Sequence, residues 1–345
     1  MTPFASARPQ DHVDALRRAW HPVALSDEIG VQMTQVWLLG EAWVLMRETA
    51  AADAPVRAFL DRCPHRLAPL SAGTLCADGS IRCGYHGWCF DGGGRCRLIP
   101  ALGPDAVIPP RARLTAPAAI AERGGIVWLA PSPPMVALVD VAPPPGAHVG
   151  ALVPARAAVD PGEMIDNFLD VAHFPFVHAA TFGVEGSDSV DDYEIEHSEF
   201  GFVAVTEHEF ANHEDPAVKR GVRPLRQRRR MTYTYTPPFT ATLRLDYLDA
   251  EGTNLIVFAV QPEDEHTSRV YTVLLRNDVP SDAMAEALAF EQCVLDEDLA
   301  IQRRLGASLP LDLTVEVHTK ADRLTIELRR RLANFLATAG SPRTA

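Results

Sequence analysis

The stretch CPHRLAPLSAGTLCADGSIRCGYHGW, residues 63–88, constrains this chain more than any other. Its metal-capable residues come in mixed pairs: Cys63-x-His65, then seventeen residues, then Cys83-x-x-His86. A structural zinc site more often sets two Cys a few residues apart and two His later. Here each short segment offers one thiolate and one imidazole. Five of the six cysteines (Cys63, Cys76, Cys83, Cys89, Cys96) fall within 34 residues. Six cysteines are too sparse for a disulfide scaffold in a chain this long, and read better as thiols or metal ligands.

Alternating donors suit two metal ions of different character. In a Rieske [2Fe–2S] centre one iron takes two Cys and the other two His, so each of two hairpin loops can give one ligand to each iron. Neutral imidazoles in place of two thiolates make the cluster less negative. Its potential then rises to about −150 to +300 mV, against about −400 mV for an all-Cys plant-type cluster. A Cys₂His₂ zinc site is the plainer alternative. Cys76, Cys89 and Cys96 stand outside the pattern and read as core thiols.

A second cluster lies in DNFLDVAHFPFVH, residues 166–178. A helix is expected over roughly 161–173. Asp160 can cap it, Pro161 suits its first position, and Glu163 sits where a capping box places an acid. Asp170 and His173 are three apart and would share a face of that helix. His178 is off that face, but Pro175 disrupts the helical run and lets the chain fold back, so both imidazoles could converge on one ion. Taken alone, two His and an Asp near a helix end also fit ordinary capping and hydrogen bonding. Further on, FEQCVLDEDLAIQRRL carries three acids in succession, Asp296, Glu297 and Asp298.

The segments CPHRLAPLSAGTL and IRCGYHGWCFD, with Arg66, Gly73, Gly84, Gly87 and Trp88, closely resemble the Rieske motif in the oxygenase component of ring-hydroxylating and demethylating oxygenases. The second cluster resembles the mononuclear-iron motif of that family. The resemblance implies that Cys63, His65, Cys83 and His86 hold a [2Fe–2S] cluster. It also implies that His173, His178 and a downstream carboxylate hold Fe(II) in a two-His-one-carboxylate triad with positions open for O₂. The family pattern, an acid followed three residues later by an apolar residue, is met best by Asp298 with Ile301; Asp296 is the runner-up. Arg303 and Leu305 stand where the family has Glu and Gln. Asp170 matches a residue that hydrogen-bonds a ligand His and links it to a cluster His (His86 or His65) of a neighbouring subunit. Asn167 would sit near the iron without binding it.

The chain length resembles the vanillate-, dicamba- and toluenesulfonate-oxidising branch. That implies a homotrimer fed by a separate NAD(P)H-dependent reductase or ferredoxin, hydroxylating or demethylating a small aromatic substrate. A cis-dihydroxylating dioxygenase is the alternative outcome, and a Rieske electron-transfer protein without oxygenase activity a more distant one.

The rest of the sequence fits an α+β protein. The 345 residues suggest two domains. The first is an all-β Rieske domain over 1–133, with β-type runs in 31–62 and GGIVWLA ending at Ala130. A Pro-rich connection follows over 134–149. Residues 150–345 then form a catalytic domain: an antiparallel sheet from alternating runs between about 193 and 277, and helices near 281–306 and 320–338. A net charge of −13 argues against general nucleic-acid binding. The one basic run, KRGVRPLRQRRR (219–230), reads as a solvated strand edge, or as a dock for an acidic electron donor. No nucleotide-binding glycine motif is present, so electrons must come from a separate protein. No export signal is visible at the N-terminus, and the apolar runs are too short to span a bilayer. A cytoplasmic location without membrane contact is expected.

Overall fold

The computed structural model describes residues 12–51, 53–179, 181, 189–211, 216–221, 223–306 and 308–340. The chain divides into two compact units. One is Arg17–Pro134; the other joins Met135 onward to the N-terminal segment ending at Leu16. The expected first domain, 1–133, therefore differs at its start. Helix α1 (Val13–Leu16) buries Ala15 and Leu16 and packs on the C-terminal helix of the unit that begins again at Met135. Residues 1–11 and 341–345 lie outside the described residues.

The Arg17–Pro134 unit is built from β1 (His21–Leu25), β2 (Thr34–Leu38), β3 (Glu41–Arg47), β4 (Val56–Leu60), β5 (Thr74–Leu75), β6 (Ile81–Arg82), β7 (Cys89–Phe90), β8 (Cys96–Leu98), β9 (Ala119–Arg123) and β10 (Ile126–Ala130). They form three antiparallel sheets, in the orders β1-β10-β9, β2-β3-β4 and β5-β6-β7-β8. Strand β3 divides two cores, because side chains alternate across a strand. Trp43 and Leu45 face one core, with Val23, Val127 and Leu129. Val44 and Met46 face the other, with Phe59, Leu70, Ile81, Phe90 and the thiols of Cys63 and Cys83.

The second unit holds β11 (His148–Ala151), β12 (Ala155–Ala157), α2 (Pro161–Leu169), α3 (Phe174–Val177), β13 (Glu194–His197), β14 (Phe202–Ala211), α4 (Pro216–Lys219), β15 (Arg226–Thr236), β16 (Thr240–Tyr247), β17 (Thr253–Pro262), β18 (Ser268–Arg276), α5 (Met284–Leu305) and α6 (Arg323–Gly340). One antiparallel sheet runs β11-β18-β17-β16-β15-β14-β13, with β12 also paired to β18. Strand β11 begins inside the stretch expected to be connection. Register places Tyr233, Leu243, Ile256 and Leu274 in one row across β15–β18. Helix α2 packs on this face: Phe168 stacks on Phe258 at 4.6 Å and meets Tyr233 edge-on at 6.2 Å. Helix α5 reaches the same face, with Leu288 and Met284 against Gly150. Helix α6 buries Leu328, Leu332, Phe335 and Leu336, the 3–4 spacing of an amphipathic helix.

Two local expectations need correction. Helix α2 starts where expected, with Asp160 accepting bonds from the amides of Gly162 (2.7 Å) and Glu163 (3.2 Å). It stops at Leu169 rather than running to 173. Asp170 is its extended C-cap, at φ −85° and ψ 105°. Its carboxylate takes the Ala172 amide at 2.9 Å, a local turn that competes with helix. Pro175 therefore does not end the long helix; it occupies the first turn of the short α3.

The basic run forms β15, and its exposed arginines are matched by acids. Arg226 pairs with Glu209, Arg228 with Asp249 and Arg230 with Glu207. β15 lies inside the sheet, between β14 and β16, and its exposed side carries a mixed-charge ladder, not the uncompensated positive patch that an acidic partner would seek.

Candidate metal centres

In the first unit, the two Cys-His loops have the same backbone hydrogen-bond pattern. The Cys63 amide donates to the Ala68 carbonyl, and the Cys83 amide to the Trp88 carbonyl, five residues on in each case (2.8 and 2.9 Å). The Leu67 and Gly87 amides, four residues after each Cys, return bonds to the Cys carbonyls (2.9 and 3.1 Å). Both of these residues take positive φ, 60° and 69°. Glycine adopts that conformation readily; Leu67 takes it at a cost, as residues at functional loops do. The loops lie so close that a Cβ on Gly73 would sit 2.2 Å from the Arg82 carbonyl oxygen, and one on Gly84 2.7 Å from that of Ala72.

These loops bring the four expected residues together. Cys63 and Cys83 are buried neighbours. The His65 and His86 rings are 4.5 Å apart, and Trp88 stacks on His65 at 4.6 Å. His86 is exposed, so the thiols lie deep and one imidazole reaches the surface. Two features fit an asymmetric iron–sulfur cluster. The Nδ1 of His65 is buried without a hydrogen-bond partner among the described residues. Burial, with the adjacent Cys83 thiol, pushes Cys63 up to about 11, so it takes a bound cation to hold the Cys63 sulfur as a thiolate. Of the other cysteines, Cys89 and Cys96 are buried, whereas Cys76 is half-buried.

In the second unit, three ligand-type atoms converge. His173 Nε2 and His178 Nε2 are 3.1 Å apart. Asp298 Oδ1 lies 3.4 Å from the first and 3.2 Å from the second. The imidazoles flank α3, His173 before it and His178 after it, which turns both toward α5. Of the acids on α5, Asp298 faces them; Asp296 is exposed and bonded to Gln292 at 3.0 Å.

The remaining acid was not foreseen in its role. Glu297 Oε2 lies 2.7 Å from His178 Nδ1 and accepts the Thr181 hydroxyl at 3.0 Å. Asp170 Oδ2 stands 3.5 Å from His173 Nδ1. Each imidazole thus turns Nε2 to the centre and Nδ1 to a carboxylate, the arrangement that fixes tautomer and orientation in metal-binding histidines. Asn167 donates to Asp298 Oδ1 at 3.1 Å, and its own carbonyl accepts from Gln302 at 3.2 Å. The site is built for positive charge. Burial opposes a charged His173, yet Asp170 and Asp298 outweigh it and push the imidazole up to about 9. Burial likewise opposes an ionised Asp298, but the two imidazoles hold it below the usual carboxylate range. Two imidazoles, one carboxylate and a demand for a cation fit a ferrous ion.

Both units match known families. Residues 19–116 match the Rieske [2Fe–2S] domain, and residues 158–338, just over half the chain, match the vanillate O-demethylase oxygenase C-terminal domain. The chain belongs to the Rieske non-haem iron oxygenases of the vanillate-demethylase type. It is an oxidoreductase with a Rieske [2Fe–2S] domain and a non-haem iron catalytic domain that uses O₂. Methylxanthine N3-demethylase NdmB of Pseudomonas putida is 28% identical over 342 residues, covering 91% of this chain and 88% of that one. The oxygenase component of dicamba O-demethylase from Stenotrophomonas maltophilia is 33% identical over 181 residues, 51% of each chain. Chlorophyllide a oxygenase of Chlamydomonas reinhardtii is 35% identical over 175 residues, 49% of this oxygenase, which spans only 25% of that protein's length. Among solved structures, NdmA of Pseudomonas putida CBB5 with caffeine superposes with a TM-score of 0.77 at 26% identity, covering 94% of this chain and 92% of the other. No helix among the described residues is long and apolar enough to cross a membrane.

Proposed function

We propose that this oxygenase removes an O- or N-methyl group from a small aromatic substrate, using O₂ and electrons from a separate NAD(P)H-dependent reductase or ferredoxin. The observation that carries this reading is the convergence of two imidazole nitrogens and one carboxylate oxygen on helices of the second unit. An electron-transfer protein would have no use for that arrangement. The names of full-length relatives favour demethylation over cis-dihydroxylation.

Cys63, Cys83, His65 and His86 hold the [2Fe–2S] cluster, and His173, His178 and Asp298 hold the iron. When bound, these groups supply electron storage and O₂ activation for hydroxylating a methyl C–H bond. The protein's residues do the rest. Glu297 and Asp170 fix the ring orientations of His178 and His173. Asn167, anchored by Gln302, holds Asp298 Oδ1 toward the imidazoles. Asp170 keeps 31% of its side chain exposed and can therefore be reached by a second copy of the chain. Its role in this reading is to join His173 to His86 or His65 of a neighbouring protomer. The homotrimer this requires is supported by apolar surface at both sites. Leu67 and Tyr85 beside the cluster histidines are 63% and 66% exposed, and Phe176 on α3 is 71% exposed. The reading places the enzyme in the cytoplasm, where reduced nicotinamide is available.

The test is turnover with a surrogate reductase, NADH and a panel of methoxy- and N-methyl-aromatics. Formaldehyde released in step with O₂ consumption, and lost in His173→Ala, is the expected result. A dihydrodiol without formaldehyde would replace the demethylase reading with a dioxygenase.

A further inference from the structure

Glu291 is an acid inside the second unit that none of the roles above uses. It lies on α5 three residues after Leu288, four before Leu295 and seven before Asp298. These spacings put all four on one face, the face whose Leu288 packs on β11 at Gly150. Asp298 and Glu291 are two turns apart, about 10 Å along the helix axis. Glu291, Asp298 and His173 are all half-buried, enclosed by protein yet with some surface left free.

Glu291 is also poorly provided for. Arg276 of β18 is near enough to act on it, but the Arg276 guanidinium grips Asp278 through two bonds of 2.7 Å. Burial and the Asp298 charge push the Glu291 carboxyl up to about 7, against the opposing pull of Arg276 and His178. The sheet opposite is left wanting in the same way. Asn254 pairs with Arg276 across β17 and β18 and points to the face that α2 covers. Asn254 is 5% exposed, and its Oδ1 is buried without a partner among the described residues. On the same face the Tyr233 hydroxyl and Thr272 Oγ1 are buried without partners among the described residues. A buried polar atom that nothing meets is costly, so a ligand that meets them gains affinity and orientation.

We propose that Glu291 is a specificity-determining residue of this oxygenase, its half-buried carboxyl hydrogen-bonding to an uncharged aromatic substrate, with Asn254 as a second anchor. The substrate class is then a neutral lactam, amide or N-heteroaromatic bearing a methyl group. An aromatic carboxylate would meet an additional acid in Glu291, while the nearby Arg276 is already committed to Asp278. The inference rests on the oxygenase reading, because it takes Asp298 to mark the reacting end of the site.

The test is anaerobic calorimetry on the full-length protein, with iron and sulfide measured in the same sample. The probes are N-methyl-2-pyridone, 4-methoxybenzamide and 4-methoxybenzoate. The wild type is expected to bind at least one neutral probe 10-fold or more tightly than the benzoate. Glu291→Gln, which keeps hydrogen-bonding atoms and the shape, should stay within about 3-fold. Glu291→Leu should lose 10-fold or more, and Glu291→Arg should shift preference to the benzoate. A wild type that binds no neutral probe or prefers the benzoate, or a Glu291→Leu variant that binds like wild type, overturns the proposal. Either result in protein with its full iron and sulfide leaves the oxygenase reading standing; protein that lacks both metals sinks that reading first.

Discussion

Glu297 offers a quantitative test of the iron site. It does not face the centre, so replacing it removes no ligand atom. Its contact to His178 Nδ1 is 2.7 Å. A charged acceptor of this kind is worth about 1.5–3 kcal/mol, and each 1.4 kcal/mol is about tenfold in affinity. Glu297→Ala should therefore weaken Fe(II) binding by about 10–100-fold, the range usual for partners behind a metal ligand. Glu297→Gln keeps an acceptor oxygen and should lose less. Asp170 stands farther from its imidazole, at 3.5 Å, so Asp170→Asn should cost iron affinity less than Glu297→Ala. Anaerobic titration of Fe(II) against a competing chelator measures all three, with acid-labile sulfide as the control that the cluster is intact. A Glu297→Ala protein that binds Fe(II) as tightly as wild type would refute the assigned role.

Other outcomes follow from single contacts. Asp160→Ala removes the cap that accepts two amides at the start of α2, and should lower stability by about 1–2 kcal/mol in urea denaturation. Gly73→Ala drives a Cβ to 2.2 Å from the Arg82 carbonyl oxygen, so the purified protein should carry little acid-labile sulfide and lack the visible absorbance of wild type. Glu163 is buried near Asp166 and Asp160 and is pushed up to about 8. A carboxyl whose folded pKa exceeds its unfolded value binds more protons when folded, so its contribution to stability falls between about pH 4.5 and 8. Glu163→Gln should flatten that decline, which has a limit of about 1.4 kcal/mol per pH unit for one proton; identical pH profiles for the two proteins would show that Glu163 is not the group responsible.

The cluster loops were legible because all their information is local. Four ligand residues and four glycines occupy 26 positions, and Gly73, Gly84 and Gly87 each have a steric reason there. The start of α2 was legible for the same reason, through Asp160 and Pro161. Its end was not, because Asp170 can cap a turn as well as continue a helix, and its bond to the Ala172 amide decides between them. That early end, and not Pro175, is what carries His173 off α2. The third acid depended on helix phase. Leu288, Glu291, Leu295, Asp298 and Gln302 follow one another at spacings of three or four, whereas Asp296 falls outside that stripe; the phase was present in the sequence, but which face turned inward was decided by packing on β11. The part played by Glu297 was not readable, since its partner His178 lies 119 residues away. Acids at positions 207 and 209 on β14, and at 249 just after β16, likewise settle the character of the basic strand, and only the folded sheet brings them to it.

The central claim is that one chain holds a two-iron cluster in one unit and a third iron in the other. Protein purified anaerobically and assayed for iron, zinc and acid-labile sulfide, with electron paramagnetic resonance after dithionite reduction, tests it most directly. The account predicts iron exceeding sulfide by one per chain and a rhombic Rieske-type signal, with the excess iron lost in His178→Ala and the signal retained. Zinc without sulfide, in a colourless protein, would contradict it.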